Sequence, residues 1–160
     1  MDYYDQISEG YEELHKEEQE KKLNLIKKHL QASPYEKLLD VGCGTGITSQ
    51  WGCNVTGVDP SKKLLEKAKQ KGIKTVLAEA ENMPFRDNEF DIVISVTAIQ
   101  NFNDIEKGLK EIKRVGKGRF VLTFLKKSEK RDFILNTIRK LFKIEKEIEE
   151  DKDIIIFAGK

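Results

Sequence analysis

The sequence of 160 residues has little of what marks secreted or membrane-inserted proteins. It contains two cysteines, Cys43 and Cys53, and three prolines, so we expect neither a disulfide framework nor a proline-rich linker. No apolar run approaches the roughly 20 residues that span a bilayer. The first residues are acidic and aromatic, unlike a secretory signal. We therefore expect a cytoplasmic protein that makes no membrane contact and forms a single domain over residues 1–160.

Charged residues are abundant and nearly balanced, at 36% of the chain with a formal net charge of +1. Their distribution is uneven. Residues 1–36 carry five lysines against nine acids (net −4), and residues 107–146 carry fourteen Lys/Arg against four acids (net +10). Residues 147–153 return to −4, with five acids and one lysine. A field of this size can attract an anionic partner, and the alternative is a solvated surface.

Short aliphatic runs alternate with charged, helix-like stretches after residue 36. The strand-like runs are Lys37–Val41, Asn54–Val58, Ile73–Ala78, Phe90–Val96 and Arg119–Leu125. The helix-like stretches are Thr45–Trp51, Ser61–Lys71, Asp104–Val115 and Lys130–Phe142, with Ser61 and Asp104 as expected N-caps. This alternation predicts βαβ units, in which right-handed crossovers place helices on both faces of a parallel sheet.

The two ends of the chain differ from this pattern. Lys143–Ile148 and Asp153–Ala158 are typical of strands and are separated by only four residues, too few for a crossover helix, so they predict an antiparallel hairpin. Residues 130–160 thus hold the last helix and the hairpin. Residues 6–31 are helical with an uneven apolar stripe, which predicts two helical pieces. We expect residues 1–31 to form an N-terminal lid or cap.

The strongest chemical feature is the segment Leu38–Gly46, an apolar strand that runs into glycines at alternate positions. Such a turn lets a ligand approach the backbone closely at the carboxyl end of the sheet. The spacing is G-x-G-x-G; in the dinucleotide fingerprint G-x-G-x-x-G the third small residue would fall on Ile47, which is too large.

Asp59 closes the next strand, thirteen residues beyond Gly46. A carboxylate at this place can accept hydrogen bonds from both ribose hydroxyls of an adenosine. The alternative is an acid at a helix N-terminus that is stabilised by the helix dipole.

These features resemble the class I, Rossmann-like S-adenosylmethionine-dependent methyltransferases, in the broad group that includes quinone-biosynthesis methyltransferases. The resemblance runs from about Tyr3 to Ala158. It implies a three-layer α/β domain with a seven-stranded, mostly parallel sheet of order 3-2-1-4-5-7-6, in which strand 7 is antiparallel. It also implies S-adenosylmethionine as cofactor, no metal, and a cofactor-binding core over residues 37–125.

The resemblance also implies which residues bind the cofactor. They are Asp40, Gly42, Cys43, Gly44, Gly46, Asp59, Pro60, Glu79, Ala80 and Val96. Glu79 would accept from the exocyclic amine of adenine, and Ala80 would pack near the base. Met83 is either an apolar wall of that pocket or core filler.

Catalytic residues are less clear from the sequence. Gln100 and Asn101 stand where many small-molecule members of the group carry a histidine pair, and these amides do not titrate near pH 7. Gln100, His15 and Tyr11 are the weak candidates; Tyr11 and His15 share a helix face, and the alternative is that Tyr11 packs and His15 is solvated. Only eight residues separate Gly46 from Val55, so the helix after the glycine loop should be clipped.

The acceptor stays open between three possibilities. A small molecule is the first. An RNA is the second, bound through Lys126, Lys127 and Lys130 on the substrate rim after strand five, although the chain has no aromatic-rich strand for base stacking. A protein is the third. A separate alternative to a self-sufficient enzyme is a cofactor-binding subunit that is active only with a partner protein.

Overall fold

The computed structural model describes residues 9–160, with side chains from residue 13 onward. Helix α1 spans Glu9–His29 and belongs to the first of two compact units, and residues 32–160 form the second, the sheet domain. The expectation of two helical pieces is wrong, because α1 is continuous through its polar middle. That stretch consists largely of Lys and Glu, which are good helix formers, and Lys16 and Glu20 form an i,i+4 pair at 3.9 Å.

The sheet domain is built from seven strands and three α-helices. The strands are β1 (Lys37–Val41), β2 (Asn54–Asp59), β3 (Lys74–Leu77), β4 (Phe90–Ser95), β5 (Gly116–Leu125), β6 (Lys143–Glu149) and β7 (Asp153–Gly159). The helices are α2 (Lys62–Gln70), α3 (Ile105–Val115) and α4 (Arg131–Leu141), with single 3₁₀ turns at Ile47–Ser49 and Ile99–Asn101.

The strand order is β3-β2-β1-β4-β5-β7-β6. Strands β1 to β5 are parallel, and β7 runs antiparallel to both β5 and β6. This confirms the predicted fold. The carboxyl ends of β1, β2, β4 and β5 meet at one edge of the sheet. Because β7 is antiparallel, its first residue, Asp153, lies at that same edge, paired with Leu125.

Apolar side chains of the central strands form the core between the sheet and its helices. Phe120, Phe124 and Leu122 of β5 and Ile156 of β7 are at most 1% exposed, and each contributes about 1.5–3 kcal/mol through burial. The predicted helix caps are confirmed: the Ser61 hydroxyl accepts from the Leu64 amide at 3.2 Å, and Asp104 accepts from the Lys107 amide at 3.1 Å.

The helix predicted over Thr45–Trp51 is present only as the single turn Ile47–Ser49. The Thr48 and Ser49 hydroxyls bond to Asp40, and the buried Trp51 indole donates to the Thr48 carbonyl at 3.0 Å. These bonds close the short link, so the clipped helix is confirmed. Within residues 9–160, no helix combines the length and the apolar character required to cross a membrane.

Candidate active site

The glycine loop, residues 42–46, leaves β1 at the carboxyl edge and is clamped to the end of β2. The amides of Gly42 and Cys43 both donate to the Val58 carbonyl, at 2.8 and 3.1 Å. The Gly46 amide closes the loop by donating to the Cys43 carbonyl at 2.9 Å. These backbone bonds fix both ends of the loop.

All three glycines of this loop have left-handed backbones, and the surroundings of Gly44 and Gly46 differ. A Cβ on Gly46 (φ +86°) would lie 2.5 Å from Ile73 Cδ1 and 3.3 Å from Ala68 Cβ, so Gly46 lets the loop pack on the α2–β3 unit. A Cβ on Gly44 (φ +55°) would have no neighbour within 4 Å. The backbone of Gly44 therefore faces open space and leaves room for a ligand to approach.

Asp40 lies buried beneath the loop. Its Oδ2 accepts from the Thr48 hydroxyl at 2.9 Å and from the Ser49 hydroxyl at 2.7 Å, while its Oδ1 is buried with no hydrogen-bond partner among the described residues. Burial raises the pKa of Asp40 to about 6, and the two hydroxyl bonds oppose that rise. The motif gave no indication that Thr48 and Ser49 would hold Asp40.

Asp59 connects the loop to helix α2. Its Oδ2 accepts from the Gly44 amide at 3.0 Å, and its Oδ1 accepts from the Ser61 amide at 2.8 Å. Burial raises its pKa above the ordinary range, and these two amide bonds lower it in part. The Asp59 carboxylate is thus held in a fixed orientation beside the open face of Gly44. Pro60, the next residue, is exposed.

Cys43 packs beneath the loop. A Cβ on Gly57 would stand 2.6 Å from the Cys43 Sγ, so the side chain fills the space above that glycine of β2. Burial and the nearby charges of Asp40 and Asp59 raise the pKa of the thiol. A thiol so protonated is a weak nucleophile, and Cys43 contributes shape to the site.

The residues after β3 divide between surface and core. The Glu79 side chain is exposed and its Oε1 lies 3.5 Å from Asn103 Nδ2. Ala80 and Met83 are buried in the main hydrophobic cluster. The Met83 amide donates to Glu111 at 3.0 Å, which ties this segment to α3. Met83 is thus part of the hydrophobic core.

The segment after β4 packs directly against the glycine loop. A Cβ on Gly42 would lie 2.6 Å from the Ala98 Cβ, and the Ser95 hydroxyl donates to the Val41 carbonyl at 2.9 Å. Val96, between them, is buried.

Gln100 is anchored to its own turn. Its Nε2 donates to the Thr97 carbonyl at 2.8 Å, and its Oε1 is buried with no hydrogen-bond partner among the described residues. Of the other catalytic candidates, His15 lies half-buried on α1, and the Tyr11 side chain lies outside the described residues. The catalytic roles of all three stay predictions.

The basic stretch of residues 107–146 is largely matched by acids within the fold. The pairs are Lys110–Glu106, Arg114–Glu111, Arg114–Asp87, Lys117–Asp91, Arg119–Glu36, Lys126–Glu149, Arg131–Glu149, Arg139–Glu147 and Lys140–Glu106. Of the predicted rim lysines, Lys126 pairs with Glu149 at 3.8 Å, Lys130 donates to the Gln100 carbonyl at 3.2 Å, and Lys127 is exposed. Internal pairing reduces the field that a run of positive charge predicts.

The fold and the loop define the class of the protein. Residues 39–122 match the model of the methyltransferase domain family. The chain belongs to this family, which confirms the predicted class of S-adenosylmethionine-dependent methyltransferases and the cofactor of that class.

The chain is also similar to two curated relatives and to one solved structure. It is 31% identical over 147 residues to uncharacterized protein MJ1252 of Methanocaldococcus jannaschii, covering 89% of this chain and 58% of that protein. It is 31% identical over 137 residues to the demethylmenaquinone methyltransferase of Thermotoga maritima, covering 76% and 59%. A SAM dependent methyltransferase from Aquifex aeolicus has the same fold, with a TM-score of 0.72, 17% identity, and coverage of 85% and 87%. The chain spans about half the length of the curated relatives it matches.

Proposed function

We propose that this chain binds S-adenosylmethionine at the glycine loop and transfers its methyl group to a small-molecule acceptor. The observation that carries the proposal is the open, left-handed backbone of Gly44 beside the Asp59 carboxylate. A ligand can approach the loop only where no side chain stands, and Gly44 provides that place. Asp59 supplies the hydrogen-bond acceptor at its border.

The Asp59 carboxylate has capacity left for a ribose. An ionised carboxylate offers about four lone-pair sites, and the amides of Gly44 and Ser61 take one on each oxygen. The remaining sites can accept from two adjacent hydroxyls. Since those two amide bonds already fix the carboxylate, ligand binding does not have to order it.

Asp40 supports the binding of a cation. The cofactor carries a positive sulfonium and an ammonium group, and a buried carboxylate acts on nearby charge through a low dielectric. The Oδ1 of Asp40 has no hydrogen-bond partner among the described residues, so its charge is only partly compensated. A bound cation would favour the ionised form of Asp40.

When bound, the cofactor supplies an electrophilic methyl group, so the chain has to align the acceptor and exclude water. The segment after β4 contributes the amide of Gln100, which cannot take up a proton near pH 7. The acceptor therefore brings an ionised or unprotonated nucleophile, or a base comes from His15 or Tyr11 on α1. We keep Glu79 and Ala80 as the proposed neighbours of the adenine.

A small-molecule acceptor is favoured over RNA by the paired charges. Lys126 is paired with the Glu149 carboxylate, which leaves less positive charge on this rim to gather phosphates. The Thermotoga maritima relative is named for demethylmenaquinone, a small molecule. RNA remains the alternative that the experiment below separates.

The test is transfer of a tritiated methyl group from S-adenosylmethionine into fractionated cell extract. We expect label in the small-molecule fraction, resistant to ribonuclease and protease, and no label with the Asp59→Ala variant. Label that ribonuclease releases would establish RNA as the acceptor instead. Transfer that appears only when the protein fraction is added would show that a partner completes the site, and no transfer under any condition would contradict the proposal.

We also propose that α1 acts as a lid over the cofactor. The test is amide hydrogen exchange along residues 13–29 with and without S-adenosylhomocysteine, the demethylated product. We expect slower exchange when the ligand is bound, and equal exchange in both states would contradict a lid.

A further inference from the structure

Thr97, two residues beyond β4, has a left-handed backbone with φ of +55°. This conformation is uncommon outside glycine and is a genuine outlier for a β-branched residue. Strained backbone of this kind persists only where the surroundings hold it, and such residues cluster at functional sites. What holds Thr97 is therefore informative about the site.

Among the described residues, two hydrogen bonds made by Thr97 and a third between its two partners hold this conformation. The Thr97 amide donates to the Thr123 hydroxyl at 2.8 Å, the Thr97 hydroxyl donates to Asp153 Oδ2 at 2.6 Å, and the Thr123 hydroxyl donates to the same oxygen at 2.9 Å. Asp153 and Thr123 have no exposed surface. The two hydroxyls and the carboxylate thus form one unit, the Asp153 network, which is buried at Thr123 and Asp153, half-buried at Thr97, and fixes both the backbone and the side chain of Thr97.

The network lies at the proposed site. The next residue, Ala98, packs against the glycine loop, because a Cβ added to Gly42 would lie only 2.6 Å from the Ala98 Cβ. Asp153 reaches this edge because β7 is antiparallel and pairs its first residue with Leu125. The C-terminal strand therefore contributes a carboxylate to the cofactor edge of the sheet, far along the chain from the glycine loop.

The conformation of Thr97 also sets Gln100. The Thr97 carbonyl oxygen can only accept a hydrogen bond. The side-chain group of Gln100 that lies 2.8 Å from it must therefore be the donating NH₂ group. The amide oxygen of Gln100 must then point elsewhere, and it has no hydrogen-bond partner among the described residues. Gln100 thus holds a spare acceptor whose direction depends on the Thr97 backbone.

We propose that Asp153 is a positioning residue for methyl transfer, acting through Thr97 and Thr123 to hold residues 97–100 so that the Gln100 amide oxygen receives a hydrogen bond from a donor group of the methyl acceptor. This inference rests on the proposed function. It implies an acceptor with an O–H or N–H group near the methylated atom. Asp153 itself does not touch the reacting atoms.

The test compares two substitutions of Thr123 with a matched control. Thr123→Val keeps the shape but removes the hydroxyl, and Thr123→Ser restores it. The control is Thr137→Val, since Thr137 is also buried and its hydroxyl bonds to the Phe133 carbonyl on α4. Should Thr123→Val fail to fold, Asp153→Asn serves in its place, because it keeps the size of the side chain.

The measurements are kcat and KM for transfer of tritiated methyl to the acceptor fraction labelled by the wild type, and affinity for S-adenosylhomocysteine by calorimetry. We expect Thr123→Val to lower kcat by about 30-fold, since small misplacements at a reacting centre cost up to about 100-fold. Thr123→Ser and Thr137→Val should stay within about threefold of the wild type, and cofactor affinity should stay within about threefold in all variants. Asp153→Asn should lower kcat by about tenfold, because a neutral amide is a weaker acceptor.

The outcomes separate this inference from the proposed function. If the wild type transfers methyl groups and the valine variant matches it, the inference fails alone. It fails as well if all three variants lose kcat equally, because the effect is then general destabilisation. If the wild type binds no cofactor or labels no fraction, the proposed function fails first and this inference with it.

Discussion

Two regions at the carboxyl edge of the sheet are held together in contrasting ways. In the first, the cofactor side, the glycine loop is fixed by backbone hydrogen bonds and supported by side-chain bonds between residues close in sequence, such as that from Ser49 to Asp40, nine residues apart. In the second, the acceptor side, Thr97 is held by Asp153 across 56 residues of chain and by Thr123 across 26. A site held by hydrogen bonds between residues close in sequence can be identified from a short motif, whereas a network between distant residues can be identified only from the whole fold.

The largest expected effect lies on the cofactor side. Asp59→Ala removes the acceptor of the Gly44 amide and, by our proposal, of the ribose hydroxyls. Charge-assisted hydrogen bonds are worth about 1.5–3 kcal/mol each, so affinity for S-adenosylhomocysteine should fall by about 100-fold in calorimetry. The control is Asp104→Ala, which removes a helix cap on α3; an equal loss there would show that the effect is not local.

A second test uses the pH dependence of Asp40. Its folded pKa of about 6 exceeds the ordinary value of 3.8, so the folded state binds more protons than the unfolded state between about pH 4 and 6. The destabilisation from burying this charge is absent below pH 4 and complete above pH 6.

The free energy of unfolding of Asp40→Asn minus that of the wild type should therefore increase by about 2 kcal/mol when the pH is raised from 4 to 7.5. Urea denaturation at both pH values measures this difference. A difference that does not change with pH would contradict the account of Asp40. Ser49→Ala, which removes a hydrogen bond that lowers the pKa of Asp40, should move the transition to higher pH.

A third test compares two glycines with left-handed backbones and free space around them. Gly44 and Gly52 both have positive φ, and a Cβ added to either would have no atom within 4 Å, so substitution by alanine should cost each about 1–2 kcal/mol of stability. Only Gly44→Ala should lower affinity for S-adenosylhomocysteine, by about tenfold. Equal affinities in the two variants would mean that the ligand does not approach Gly44.

The smallest expected effect comes from the acceptor side. Gln100→Ala removes a side chain that we assign to the acceptor, so affinity for S-adenosylhomocysteine should change by less than about twofold. Calorimetry measures this affinity, and the Asp59→Ala variant is the reference for a large loss of affinity. A loss comparable to that of Asp59→Ala would erase the distinction between the two sides.

The sequence predicted the elements with local causes. Strand and helix periodicity, caps such as Ser61 and the four-residue link between β6 and β7 were sufficient for the sheet. It mispredicted α1, because the polar stretch that interrupts the apolar stripe does not interrupt the helix. It missed the Asp153 network, because neither Thr97 nor Asp153 belongs to a motif and only the antiparallel course of β7 brings them together. The charge run at residues 107–146 was visible, but its partners, such as Glu149 for Lys126, were not.

The most direct test of the central claim is titration of the ¹⁵N-labelled chain with S-adenosylhomocysteine, followed by amide chemical shifts. The account predicts saturable shifts that are largest at the Gly44 and Ser61 amides, which donate to Asp59, and little change along β6. Shifts that leave Gly44 and Ser61 unmoved, or no saturable shifts at all, would contradict it.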